Sequence, residues 1–132
     1  MIESVEEFYR LRNSEDPEEY KRAANEEAPI EIWYEVLERF PDLKVWVIHN
    51  KTVPEELLRL LSTDSDSSVR RRVADKRKCP VDILAKLAKD SDEAVRLRVA
   101  CNPKVTREIL ETLTTDSWDE VVIVSQNRLD KL

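Results

Sequence analysis

Few side chains in this chain could do chemistry, and their spacing narrows the choice. The 132 residues include one histidine, His49, two cysteines, Cys79 and Cys101, and no glycine. No serine or cysteine stands at a recognisable spacing from His49, so a nucleophile–base–acid triad cannot be argued. Two cysteines and one histidine also fall short of a four-ligand zinc or iron–sulfur site unless carboxylates help. Without glycine there is no phosphate-cradling loop and no dinucleotide fingerprint. What does recur is an aspartate followed six residues later by an arginine, Asp64 with Arg70 and Asp90 with Arg96. A carboxylate and a guanidinium can make a planar, two-bond contact. The other concentration of charge is RRRVADKRK, from Arg70 to Lys78, in which six of nine residues are basic.

These residues recur because the chain repeats. Pro54, Pro80 and Thr106 are spaced by 26, as are Leu58, Leu84 and Leu110, then Asp64, Asp90 and Asp116, then Val69, Val95 and Val121. A fixed period in this range marks a stacked repeat array. Each unit reads as two short helices. The first opens at a proline, whose fixed φ suits a first helical turn, and carries one apolar stripe such as Ile83, Leu84 and Leu87. A polar turn follows, with Asp66 or Asp92 placed to cap the second helix. That helix is marked by Val69 and Val73, or Val95 and Val99, backed by Ala74 or Ala100. Neither helix is long enough to persist alone, so each unit must bury its stripe against a neighbour.

The stretches VPEELLRLLSTDSDSSVRRRVA and CPVDILAKLAKDSDEAVRLRVACNP resemble HEAT-like α-solenoid repeats of bacteria, in particular the leucine-rich repeat variant. The resemblance covers the chain from about residue 16 onward and implies a right-handed, all-α solenoid of about five short helix pairs. It also implies that the turn aspartates and second-helix arginines form a ladder between neighbouring repeats. At the same offset Asp116 faces Val122, so the ladder should stop at the last unit. Some relatives carry a separate cysteine-rich iron–sulfur segment; this chain has none, and no cofactor is implied. Some HEAT-like solenoids are DNA glycosylases that hold the phosphate backbone on a basic concave face.

The chain is expected to form one domain. Residues 1–15 would be a capping helix, with Ser4 and Glu7 as a capping box, and 16–50 would be divergent repeats. Regular repeats would follow at 51–76, 77–102 and 103–132. Seven of the eight aromatic residues lie in the first 46 positions, so the N-terminal third is packed differently. Asn25, Asn50 and Asn102 stand at one repeat position, where they could end second helices in the left-handed conformation that glycine usually supplies. Cys79 shares its position with Val53 and Val105 and reads as a buried hydrophobe. Val122 and Val124 make the last helix apolar, which calls for support from Trp118 and Leu129 or leaves a sticky edge.

A net charge of −6, with 41% hydrophobic and 38% charged residues, describes a heavily solvated helical protein and disfavours a general nucleic-acid or membrane binder. The opening MIESVEEFYRLR has neither the basic lead nor the apolar core of a signal peptide, so a cytoplasmic location is expected. The favoured reading is a monomeric, non-enzymatic module that binds another protein through Trp46, Arg71, Arg72 and Arg98. Trp46, Arg72 and Arg98 share one repeat position, and Trp and Arg dominate interface energetics; Trp46 could equally pack under the N-terminal cap. Small size, acidity and bacterial resemblance allow an immunity protein that masks a toxin. The competing reading is a nucleic-acid-binding or repair module using Arg70, Arg71, Arg72, Lys76, Arg77 and Lys78, although one basic run is a short track for phosphates.

Overall fold

The computed structural model describes all 132 residues. It contains ten α-helices, a short 3-10 turn at Pro41–Leu43 and no strand. In order the helices are α1 (Val5–Arg12), α2 (Pro17–Asn25), α3 (Ile30–Arg39), α4 (Lys44–His49), α5 (Glu55–Leu61), α6 (Ser67–Asp75), α7 (Val81–Leu87), α8 (Glu93–Cys101), α9 (Arg107–Leu113) and α10 (Asp119–Asp130). None is long and apolar enough to cross a membrane. The chain gathers into two compact units, Met1–Leu57 and Leu58–Leu132.

Helices this short need satisfied ends and a buried face. Asp16, Asp66 and Asp92 cap α2, α6 and α8, accepting from the N–H groups of Glu18, Ser68 and Ala94. Ser4 accepts from the Glu7 N–H at 3.0 Å. The Glu7 carboxylate reaches back to the Glu3 N–H at 2.8 Å, one residue before the position a capping box would use. Pro80 stands just before α7, with φ −59° and ψ 146°, and its carbonyl accepts from Ile83 and Leu84. The proline therefore presets the entry to the helix rather than its first turn.

In the first unit α1 packs on α2 and α3. Phe8 meets Trp33 edge-to-face at 5.1 Å between ring centroids, and both rings are buried with Val5, Leu11 and Val36. In the second unit α8 lies between α6 and α10, while α7 and α9 pack on the second helices beside them. The columns predicted from the repeat are interior: Leu58, Leu84 and Leu110 are buried, as are Val69, Val95 and Val121, and Val73 with Val99. Each such aliphatic side chain removed from water contributes about 1.5–3 kcal/mol against the cost of ordering the chain. Cys79 is buried as the repeat position requires, and Cys101 is exposed.

The expectation for the asparagines fails. No residue has a positive φ, and Asn50 and Asn102 leave their helices extended, at φ −59°, ψ 130° and φ −65°, ψ 131°. Their side chains do the work instead. The Asn102 amide donates to the carbonyls of Ala74 at 2.7 Å and Lys76 at 3.0 Å, and its Oδ1 accepts from the Lys104 N–H. Asn50 repeats this on Ala23 and Glu26, with Thr52 as donor. Both are buried and satisfy the open carbonyls at the end of an earlier second helix, which is why no left-handed residue is needed. Asn25 differs: it is exposed and bonds only the Lys21 carbonyl of its own helix.

Candidate functional site

Five arginines on α6 and α8 could act on a partner, and the structure separates them by what they already hold. Arg70 Nε donates to Asp90 Oδ2 at 2.8 Å and its Nη2 to Oδ1 at 3.1 Å, while Nη1 donates to the Asp64 carbonyl at 2.8 Å. Arg96 does the same one repeat on, to Asp116 at 2.7 and 3.2 Å and to the Asp90 carbonyl at 2.7 Å. The side chains of each pair are 7–15% exposed. Hydrogen bonding to the aspartate raises both guanidinium pKa values further. Each arginine thus ties its own turn to the aspartate of the next repeat. Asp116 is the last acceptor, since Val122 replaces the arginine that would continue the series.

Arg71, Arg72 and Arg98 are disposed otherwise. With Asp75 they line a recess of about 250 Å³ on the second unit. Arg71 is half-buried, and Arg72 and Arg98 are exposed. Neither the Arg71 nor the Arg72 side chain makes a hydrogen bond or ion pair within the chain. Arg98 approaches Asp75 at 3.7 Å with both side chains about half exposed, too long for a hydrogen bond and weak in water. Three guanidiniums around one carboxylate leave the recess with two excess positive charges. The surrounding unit is mildly basic, with fifteen Lys and Arg against thirteen Asp and Glu, whereas the first unit has seven against fifteen. The net charges are +2 and −8, respectively.

Trp46 sits in the first unit and is half-buried. The Arg12 guanidinium, from the end of α1, lies 3.3 Å over its ring and 4.7 Å over that of Tyr20. His49 meets Trp46 edge-on at 5.7 Å and is exposed. Trp46 is therefore covered on one face by the N-terminal helix, through a cation–π contact that the repeat pattern gave no means to foresee. Of the basic run, Arg70 is committed to the ladder, Lys76 is half-buried and lends its carbonyl to Asn102, and Arg77 and Lys78 are exposed.

Sequence reasoning also missed Arg128. It stands 26 residues after Asn102, and its Nη1 donates to the carbonyls of Ala100 at 2.7 Å and Asn102 at 2.8 Å. A longer donor does for the end of α8 what Asn102 does for the end of α6. The signal was present, because Asn50, Lys76, Asn102 and Arg128 share one repeat position and all carry side-chain N–H donors. No three His, Cys, Asp or Glu side chains come together as a metal-holding group. No family model, curated protein or solved structure matches this chain.

Proposed function

We propose that the chain is a HEAT-like α-solenoid of the leucine-rich repeat variant type that works as a non-enzymatic protein-binding module. One observation carries this reading. Arginines on the same helices divide between two fates: Arg70 and Arg96 are spent on joining repeats, whereas the side chains of Arg71, Arg72 and Arg98 line an open recess with little or nothing in the chain to satisfy them. Unpaired guanidiniums held on a braced helical surface suit recognition, since little of their supporting backbone must be ordered on binding. Trp46, in the first unit and beneath Arg12, is a separate candidate contact for the partner. The partner is another protein, the chain acts as a monomer in the cytoplasm, and a masked toxin is one partner of the right kind.

The test is affinity capture from the source cells with the tagged chain, with Arg72→Glu plus Arg98→Glu, and with Trp46→Ala. A stoichiometric partner held by the wild type and lost from the arginine variant is the expected result. Retention by both would place the binding surface elsewhere. The nucleic-acid reading draws on the exposed Arg77 and Lys78 beside the same recess-bearing helix. It predicts binding to duplex DNA that falls steeply with salt, and it ends if no binding is seen at low salt.

A further inference from the structure

We infer that the recess formed by Arg71, Arg72, Asp75 and Arg98 is a carboxylate-binding site that takes an acidic segment of a partner protein. This rests on the protein-binding reading above and specifies its chemistry. Guanidiniums are rigid forks of donors that match a carboxylate two bonds at a time. Arg71 and Arg72 have no acceptor within the chain, and Arg98 has only the loose contact with Asp75 at 3.7 Å. An incoming Asp or Glu side chain would supply the acceptors that all three lack.

Asp75 sets the selectivity. It lowers the charge of the recess from three to two, which trims by about a third the Coulomb advantage of a doubly charged phosphate over a single carboxylate. It also interrupts any basic track, as does the commitment of Arg70 and Arg96 to Asp90 and Asp116. A nucleic-acid backbone needs a run of cations along its length; the recess offers three, gathered at one point.

The probe is a fluorescently labelled peptide of alternating Glu and Ala, titrated into the full-length protein at low and at physiological salt. It is compared with the same peptide carrying phosphoserine for glutamate and with a single-stranded DNA of equal charge. The glutamate peptide should bind, and Arg72→Ala plus Arg98→Ala should weaken it about tenfold, as for loss of paired charges at an interface. Lys86→Ala plus Lys89→Ala removes the same charge from exposed positions on α7 and in the turn after it and should leave binding within about twofold, as expected of screened charges away from the contact. Asp75→Asn should tighten the glutamate peptide several-fold. Circular dichroism confirms that each variant is folded.

An equal loss in the arginine and lysine variants would reduce the effect to general attraction and overturn the site. Binding of phosphoserine peptide or DNA more than about tenfold tighter than glutamate would overturn the carboxylate assignment. If the glutamate peptide fails to bind while the captured cellular partner still depends on Arg72 and Arg98, the acidic chemistry is wrong and the protein-binding surface survives. If the peptide binds as described but capture of the partner is unaffected, the reverse holds.

Discussion

Arg70 and Arg72 are two residues apart, of one type and on one helix, yet they have opposite roles. The difference lies in what faces them: Asp90 and the Asp64 carbonyl meet Arg70 at hydrogen-bond distance, and no acceptor in the chain comes that close to the Arg72 side chain. Removing one member of a largely buried pair leaves the other charge desolvated and unpaired, which costs more than the pair itself contributes. Asp90→Ala should therefore destabilise the fold by about 2–4 kcal/mol in urea unfolding, while Arg72→Ala stays within about 0.5 kcal/mol. Ser125 is the opposite case. It occupies the repeat position of Val73 and Val99, is fully buried, and its hydroxyl has no partner. Ser125→Val should raise stability by about 1 kcal/mol, read from the same urea midpoint, because an unsatisfied hydroxyl is replaced by the apolar group its column already uses.

At the level of helices, the caps at Asp66 and Asp92 and the buried columns were legible because each could be checked against copies 26 residues away. The role of Asn50 and Asn102 was not. Glycine-like backbone behaviour and side-chain donation both fit an asparagine at a helix end, and only the neighbouring carbonyls of Ala23 and Ala74 decide between them. The Arg12–Trp46 contact was illegible for a different reason, since it joins α1 to α4 in the part of the chain where the period breaks down. Electrostatics at the end of α2 give a direct test. Glu26 follows α2 and its carboxylate accepts from Arg22 Nε at 2.5 Å. That hydrogen bond holds the Glu26 pKa down to about 2. A depressed carboxylate stabilises the fold at pH above its ordinary value and loses that contribution as pH falls toward the folded value. Thermal stability should therefore fall between roughly pH 4.5 and 2, and Glu26→Gln should flatten part of that slope.

At the scale of the whole chain, the ladder implies modularity. Arg70 pairs with Asp90, Arg96 pairs with Asp116, and each link depends only on adjacent repeats. Inserting a second copy of residues 77–102 after Asn102 preserves every link and adds one more. With nearest-neighbour energetics, the longer protein should keep its helical signal per residue and melt at a higher temperature; a lower melting temperature by circular dichroism would count against the repeat reading. The backbone has one further consequence. With no glycine and no residue at positive φ, no position depends on the left-handed region that ordinary L-amino acids avoid. Systematic truncation to alanine along this chain would then report lost side-chain contacts with little contribution from relieved or imposed torsional strain, making it an unusually clean subject for mapping energy one position at a time.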